Sequence, residues 1–242
     1  MKASQKLKGS TAVRHPSDEV LTIWREAQAV CFDVDSTLCE DESIDELAAF
    51  LGAGEKVAEL TNRAMGGSMK FEEALKLRLD CMNPSQNDVD RFLVEHPPRL
   101  SKGIPELVKL IHGRGASIFL ISGGFRQIIN PIAEMLDIGL DQVFANTILF
   151  KEDGSYDGFD SNEFTSRSGG KPDAVKSIKE KYGYHPMVMI GDGATDLEAK
   201  KEGAVELFIG YGGVAERPSV AKEADWYVYD IQSLIDALRA SS

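Results

Sequence analysis

The sequence predicts an α/β protein with a doubly wound parallel sheet and a helical cap inserted after the first core strand. Short apolar runs of strand length recur along the chain, and helical patterns lie between most of them. Several runs are apolar at successive positions, which is typical of strands covered by helices on both faces. Residues 38–100 break the alternation, since they carry helical periodicity without a strand pattern. We expect a core domain of residues 1–37 and 101–242 and a helical cap domain of residues 38–100.

The core strands are predicted from the apolar runs. These are residues 29–34, 116–121, 142–145, 187–190, 206–209 and 226–229. Residues 151–158 contain turn-forming residues between Phe150 and Phe159, which predicts a β-hairpin.

Two helical stripes are predicted within the cap. The first begins at Ser43, and Glu46 three residues later predicts a capping box. The second contains Phe71 and, seven residues later, Arg78, so Arg78 is expected to face inward. Because the insertion is too long for a simple crossover, we expect it to cover the active site as a lid.

The composition excludes several classes of function. The 242 residues carry 27 Lys and Arg against 39 Asp and Glu, a net charge of −12. This charge repels polyanions, so we expect no nucleic-acid partner. No apolar run reaches the ~20 residues needed to cross a bilayer, so we expect no membrane partner. Three cysteines cannot all pair and indicate a reducing compartment. We expect a soluble intracellular protein, cytoplasmic, or in an organelle such as the chloroplast stroma if a transit peptide has been removed.

Acidic residues follow two of the predicted strands. Asp33 and Asp35 end the first, and Asp192 and Asp196 follow the fourth core strand. Ligands of doubly wound sheets bind at the carboxyl ends of strands. Carboxylates that converge there repel one another, and Mg²⁺ is a cation that suits such oxygens. A carboxylate can also attack phosphorus, and a second one two residues along can act as general acid and base. The alternative is that these aspartates cap helices or shape turns.

Two glycine-rich segments predict contacts with phosphate. Ser122, Gly123 and Gly124 follow the second strand, where backbone N–H groups can approach an anion. Lys171 stands at the glycine-rich start of another helix, on its apolar side. A cation there opposes the helix dipole, which indicates that it neutralises phosphate charge. The alternatives are an ordinary turn and a lysine that reaches solvent.

Polar residues of the cap are candidates for holding the rest of a substrate. An inward Arg78 needs an anionic partner such as a substrate carboxylate, unless it pairs within the protein or reaches the surface. Glu42 is a candidate for a substrate ammonium, or is one of several acids in a solvated stretch. Met65 and Gly66 lie in a predicted helix-ending loop, with helix C-cap chemistry as the alternative.

The motifs together resemble those of the haloacid-dehalogenase-like phosphatases. Residues 33–37 are similar to the first motif of that superfamily, 122–124 to the second, Lys171 to the third and 191–196 to the fourth. The resemblance extends from about Ala29 to the C-terminus, and it is closer still to the phosphoserine phosphatase family. The residues that carry this closer match lie in the cap: Glu42, Met65, Gly66, Phe71 and Arg78.

The resemblance implies an activity and a role for each residue. It implies Mg²⁺-dependent hydrolysis of O-phospho-L-serine to L-serine and phosphate through an aspartyl-phosphate intermediate, the last step of serine biosynthesis. Asp33 would be the nucleophile, Asp35 the general acid and base, and Asp33, the Asp35 carbonyl and Asp192 would bind Mg²⁺. The residues implied to bind substrate or phosphate are Glu42, Met65, Gly66, Phe71, Arg78, Ser122, Gly123, Gly124, Lys171, Thr195 and Arg217.

Two other functions stay open at this point. A related phosphatase or phosphotransferase would act on another small phosphomonoester. A receiver-like signalling module would also carry one phosphate-accepting aspartate, although it would need neither Asp35 nor a cap. The sequence leaves a homodimer open as the assembly.

Overall fold

The structure is a computed structural model, and it describes residues 15–65 and 69–240. Its strands are β1 (Ala29–Phe32), β2 (Ser117–Phe125), β3 (Val143–Asn146), β4 (Ile148–Phe150), β5 (Tyr156–Phe159), β6 (Met187–Gly191), β7 (Leu207–Tyr211) and β8 (Trp226–Val228). Six of them form one parallel sheet in the order β3-β2-β1-β6-β7-β8, and β4 pairs with β5 in an antiparallel hairpin. The predicted fold class is confirmed.

The helices fill the intervals between strands. They are α1 (Asp18–Glu26), α2 (Ser43–Phe50), α3 (Gly54–Met65), α4 (Phe71–Met82), α5 (Gln86–Glu95), α6 (Ile104–Gly113), α7 (Arg126–Met135), α8 (Gly170–Tyr182), α9 (Ala194–Lys201), α10 (Pro218–Glu223) and α11 (Gln232–Arg239). Across the described residues, we find no helix with the length and apolar character that a membrane span requires.

Alternate residues of the strands contribute to two apolar layers, one on each face of the sheet. In β1, Val30 and Phe32 pack on one face with α1, α6, α7 and α11. Ala29 and Cys31 pack on the other face with α8, α9 and α10. Each large side chain buried in this way contributes about 1.5–3 kcal/mol. The period of two along β1 therefore fixes which face each helix covers.

Of the five α-helices that the structure describes between β1 and β2, the first four, α2 to α5, form the predicted helical insertion. Their apolar side chains, such as Leu47 and Leu75, belong to a third cluster that also contains Phe125, Ile128 and Ile148. The insertion thus packs on the start of α7 and on the hairpin. Its apolar core is shared with the rest of the molecule.

The chain enters and leaves the insertion at one place. Cys39 and Leu100 form an isolated antiparallel bridge. The Glu40 N–H donates to the Arg99 carbonyl at 2.8 Å, and the Ser101 N–H donates to the Leu38 carbonyl at 2.9 Å. The two connections therefore run side by side, close to the end of β1.

The predicted capping box at Ser43 is wrong. α2 begins at Ser43, and no side chain caps its first turn. The Ser43 N–H and hydroxyl donate instead to the Asp35 carboxylate, at 2.9 and 3.1 Å. Glu46 accepts a hydrogen bond from Arg99 at 3.3 Å. A stronger anionic acceptor, brought close by the turn after β1, has replaced the local partner.

Candidate active site

The candidate site lies where β1, β2 and β6 end beside one another. β1 pairs in parallel with β2 and with β6, so the residues that follow these strands meet at one edge of the sheet. The Asp33 N–H donates to the Ile190 carbonyl at 2.9 Å, which continues the pairing beyond β1. Carboxylate oxygens of Asp33, Asp192 and Asp196 lie within 4.8 Å of one another. The strand ends thus bring together acids that are far apart in sequence.

Lys171, in the first turn of α8, is the cation of this cluster. Its Nζ lies 2.8 Å from Asp33 Oδ1 and donates to Asp196 Oδ1 at 2.7 Å. The residue is 9% exposed. Burial acts to lower the pKa of the Lys171 ammonium, but Asp196 and Asp33 outweigh it, so the pKa is raised. Lys171 is therefore held as a cation beside the predicted nucleophile.

The carboxylates of this cluster suit a hard divalent cation. Burial raises the pKa of Asp192, and the negative charge of Asp33 raises it further. Arg217 opposes this effect, because its Nε donates to Asp192 Oδ2 at 2.7 Å. Oxygen donors that converge and repel one another are the set that Mg²⁺, Mn²⁺ or Ca²⁺ prefers. The residues present therefore fit a divalent metal site.

Asp35 is held by the cap. The chain turns sharply after Asp33, with a φ of 54° at Ser36, and Asp35 is brought to the start of α2. Burial raises the pKa of Asp35 to about 7, and the charge of Asp33 adds to the increase, although the Ser43 N–H opposes it. A carboxyl group that holds its proton near neutral pH can serve as a general acid.

The glycine segment after β2 belongs to the strand itself. β2 continues four residues past its predicted end, because Phe125 pairs with Asn146 of β3. Ser122 is fully buried, and its Oγ accepts a hydrogen bond from the Gly124 N–H at 2.9 Å. This hydrogen bond fixes the backbone of residues 122–124 at the sheet edge where Asp33 lies.

The two glycines allow close approach to the acid and to the cap. A Cβ at Gly124 would lie 2.9 Å from Ser43 Oγ and 3.0 Å from Asp35 Oδ2. A Cβ at Gly123 would lie 3.2 Å from the ring of Phe71. Each glycine therefore admits a neighbour that a larger residue would displace.

A cavity of about 120 Å³ joins the cap to the core at this point. Phe71, Gly123, Lys171 and Thr195 are among its lining residues. Phe71 comes from the first turn of α4 in the cap, and the other three come from core elements. Four residues predicted to bind substrate or phosphate therefore share one space.

Of the polar residues predicted to hold the remainder of a substrate, Arg78 is buried and Glu42 is partly exposed. Glu42 Oε1 accepts a hydrogen bond from Ser36 Oγ at 2.6 Å and lies 4.0 Å from Arg217 Nη2. Arg78 faces inward as predicted and is 8% exposed. The Met65 side chain and Gly66 lie outside the described residues.

Comparison with protein families agrees with this geometry. A family model described as a haloacid dehalogenase-like hydrolase matches residues 27–203. The chain belongs to the haloacid dehalogenase-like hydrolase family. The resemblance inferred from the four motifs is confirmed, and a receiver-like signalling module does not fit this match.

Within this family the chain is similar to phosphoserine phosphatases. It is 56% identical over 223 residues to the chloroplastic phosphoserine phosphatase of Arabidopsis thaliana, covering 92% of this chain and 76% of that protein. The solved structure of DsGPDH from Dunaliella salina gives a TM-score of 0.83 at 40% identity, and the match covers 93% of this chain and 38% of that one. The phospho-aspartyl intermediate analogue of phosphoserine phosphatase gives a TM-score of 0.74 at 27% identity, covering 87% of this chain and 98% of that one.

Two residues of this hydrolase site received no role from the sequence. Asp196 belongs to the fourth motif and proves to be a partner of Lys171. Asn146 ends β3, and its Nδ2 donates to the Gly123 carbonyl at 2.8 Å. The sequence could have indicated Asn146 as a site residue, because it is a polar residue at a strand end, as Asp33 and Asp192 are.

Proposed function

We propose that the protein hydrolyses O-phospho-L-serine to L-serine and phosphate, that it requires Mg²⁺, and that it forms an aspartyl phosphate on Asp33. The observation that carries this proposal is the contact of Lys171 with both Asp33 and Asp196, beside the carboxylate of Asp192. A nucleophile, a cation for the phosphoryl charge and a set of metal donors lie together there. The similarity to enzymes named phosphoserine phosphatase supports the substrate.

The substrate is oriented by charge at both ends. Ser122, Gly123, Gly124, Lys171 and Thr195 hold the phosphoryl group. The carboxylate of the substrate binds Arg78, and its ammonium binds Glu42. Arg217, Met65, Gly66 and Phe71 complete the binding residues of this proposal. The inward position of Arg78 and the cavity shared by Phe71 and Lys171 support it.

The reaction proceeds in two steps. Asp33 attacks phosphorus in line, so that an Asp33 O–P bond forms as the bond from phosphorus to the seryl oxygen breaks. Asp35 gives its proton to the departing seryl oxygen, and L-serine leaves. Asp35 then takes a proton from water, whose oxygen attacks phosphorus and releases phosphate and the Asp33 carboxylate. The raised pKa of Asp35 supports its part as the acid.

The metal site of the proposal consists of the Asp33 and Asp192 carboxylates and the Asp35 carbonyl. When bound there, Mg²⁺ supplies positive charge that offsets the repulsion between carboxylate and phosphate. Asp196 lies within the same group of oxygens. Its contact with Lys171 keeps the ammonium beside Asp33, ready for the phosphoryl oxygens.

Residues 38–100 form the cap domain of this proposal, and residues 1–37 and 101–242 form the catalytic core. The cap excludes bulk water while the phosphoryl group passes to Asp33, so that the water activated by Asp35 is the one that later attacks phosphorus. The contacts of Ser43 with Asp35 and of Phe71 with Gly123 support this role, since both link a cap helix to a core residue of the site.

The proposed product places the enzyme at the last step of serine biosynthesis. We propose the chloroplast or another organelle, or the cytoplasm, as its location. The plant relative named as chloroplastic supports the organelle.

Phosphate release from O-phospho-L-serine, measured with and without Mg²⁺, tests the proposal. We expect turnover with Mg²⁺ and its loss when the metal is chelated. Absence of phosphate release from O-phospho-L-serine at any Mg²⁺ concentration would overturn the proposal.

A substrate panel distinguishes the remaining alternative, a related phosphatase or phosphotransferase acting on another phosphomonoester. The panel contains phosphothreonine, phosphoethanolamine and pyridoxal phosphate. We expect O-phospho-L-serine to have the highest kcat/KM, and Arg78→Ala to harm chiefly the substrates that carry a carboxylate. A higher kcat/KM for another member would establish the alternative.

A further inference from the structure

The cap helix α4 takes the partner for its first N–H group from the core. Among the residues that the structure describes, Lys70 stands at the N-cap of this helix and its side chain makes no capping hydrogen bond. The first N–H groups of a helix need partners from outside the helix. The Phe71 N–H donates to Ser168 Oγ at 3.4 Å. A residue from the segment before α8 thus caps a helix of the insertion.

Glu72, the next residue of α4, makes the same connection in the opposite direction. Its Oε2 accepts hydrogen bonds from the Ser168 N–H at 3.2 Å and from Ser168 Oγ at 3.1 Å. The Ser168 hydroxyl therefore donates to Glu72 and accepts from Phe71, as a hydroxyl group can. Hydrogen bonds to a carboxylate are stronger than those between neutral groups. Three hydrogen bonds thus join two successive residues of the cap to one residue of the core.

Ser168 belongs to a segment whose place in the core is fixed on both sides. Three residues before it, the buried Thr165 donates through its hydroxyl to Asn146 Oδ1 at 3.1 Å. Two residues after it, Gly170 packs so closely on the Phe164 carbonyl that a Cβ would overlap the oxygen. The segment therefore provides a firm base to which the start of α4 is attached.

The contact between α4 and Ser168 lies at the cavity of about 120 Å³ between cap and core. Ser168 lines this cavity together with Phe71 and Lys171. The ring of Phe71 also lies 3.2 Å from the position that a Cβ of Gly123 would take. Moving the first turn of α4 away from Ser168 would therefore move the Phe71 ring away from the phosphoryl site.

We propose that Glu72 and Ser168 are positioning residues that hold Phe71 over the phosphoryl site at Gly123 and Lys171. The effect on binding rests on the proposed function, because it concerns the substrate of that site, whereas the contact itself is measurable without turnover. Glu72 and Ser168 act through Phe71 and not on the reacting atoms. Loss of the contact lowers the fraction of molecules whose site is complete, so the apparent dissociation constant rises by the same factor.

Hydrogen exchange followed by mass spectrometry tests the contact in the protein without substrate. Glu72→Ala removes the acceptor, and Ser168→Ala removes the hydroxyl group. We expect each variant to accelerate exchange at least about threefold in both segments, 70–76 and 166–172, because either substitution releases N–H groups on both sides of the contact. Glu73→Ala removes an exposed carboxylate from the same turn of α4, and as the matched control it should leave exchange unchanged. Unchanged exchange in the two variants, or acceleration confined to the substituted segment, would overturn the inference.

Steady-state kinetics test the consequence for binding. In Glu72→Ala and Ser168→Ala, we expect the KM of O-phospho-L-serine and the competitive inhibition constant of inorganic phosphate to rise about fivefold. The kcat should stay within about twofold, since the groups that carry the reaction are unchanged. Ser168→Thr keeps the hydroxyl and the N–H group, so its constants should match those of the wild type. A fall in kcat and Tm with unchanged KM would make the contact merely structural and overturn the inference.

The double variant of Glu72→Ala and Ser168→Ala separates one shared contact from two independent effects. Because both substitutions break the same contact, the KM of the double variant should lie within about twofold of the larger single effect. Effects that multiply would contradict the inference. Failure of the proposed function would appear in the wild-type protein, as absence of phosphate release, whereas hydrogen exchange would still decide whether the contact between α4 and Ser168 exists.

Discussion

At the scale of single residues, Lys171 is buried against two carboxylates, Asp33 directly after β1 and Asp196 in the first turn of α9. Desolvating an ammonium group is expensive, and its two contacts at 2.8 and 2.7 Å offset this cost. Because two carboxylates hold the Lys171 ammonium, the position of Nζ is fixed before any phosphate binds. A fixed cation needs no reorganisation when charge develops on the phosphoryl oxygens.

Replacing the nucleophile should stop turnover and leave the fold intact. Asp33→Asn keeps the size of the side chain. It removes one of several repelling charges and also one of the two carboxylates that offset the burial of Lys171, so we expect the two effects to oppose each other and Tm to change little. Phosphate release should fall at least about 10³-fold, because an amide oxygen does not form the acyl phosphate. Asp157→Asn, in the exposed hairpin, is the control. Near-normal activity of Asp33→Asn would end the assignment of the nucleophile.

The proton donor should give the first step a pH dependence. The pKa of Asp35 is raised to about 7, so the group is protonated below that pH and loses its proton as the pH rises through it. We expect the rate of L-serine release in a single turnover to fall on the alkaline side of this value. Asp35→Asn should slow the release about 10²–10⁴-fold and abolish this alkaline decrease. A wild-type rate that is flat between pH 6 and 9 would contradict the role.

Several residue roles were accessible from the sequence and others were not. The helical period places Arg78 inward, and the structure confirms it. Strand-end positions predict that Asp33 and Asp192 meet. The contact of Lys171 with Asp196 depends on how α8 and α9 pack together, and no local pattern encodes it.

At the scale of elements, every predicted core strand is present, and the differences lie at the ends. β2 runs to Phe125 because its last residue finds a partner in Asn146 of the neighbouring strand. The capping box at Ser43 fails because Asp35 competes for the same donors. In both cases a tertiary contact overrides a local preference.

The end of β2 provides a matched pair of variants. In Gly124→Ala, the new methyl group meets Ser43 Oγ at 2.9 Å and Asp35 Oδ2 at 3.0 Å, so the proton donor must move. We expect kcat to fall at least about tenfold, since a shift of about 1 Å in a catalytic group can cost 10²-fold. In Gly123→Ala, the methyl group meets the movable ring of Phe71 at 3.2 Å.

Gly123→Ala is the control, and we expect it mainly to raise KM. Steady-state kinetics on O-phospho-L-serine measure kcat and KM for both variants. A larger loss of kcat in Gly123→Ala than in Gly124→Ala would show that the contact with Asp35 does not matter for the chemistry.

At the scale of the whole molecule, the proposed metal site links binding to stability. Three carboxylates are buried at one edge of the sheet in a protein of net charge −12. A ligand that binds only the folded state stabilises it by about 2.7 kcal/mol at 100 times its Kd. We expect saturating Mg²⁺ to raise Tm by about 5–10 °C at constant ionic strength.

Asp192→Asn should remove most of this increase in Tm, because it deletes one proposed ligand of the metal. Calorimetry or thermal unfolding followed by circular dichroism measures the shift, with NaCl at matched ionic strength as the control. An equal Tm increase in wild type and Asp192→Asn would place the bound metal elsewhere.

The bridge between Cys39 and Leu100 gives the proposed cap a single joint, since both covalent connections cross there. A domain whose two connections cross at one point can rotate about that point but cannot translate along the core. Glu42 lies in the cap three residues from the joint, whereas Arg78 is separated from the joint by α2 and α3. A rotation about the joint would therefore displace Arg78 further than Glu42. A substrate would then bind first through its ammonium and last through its carboxylate. Compounds without the carboxylate would not complete the closing movement of the cap.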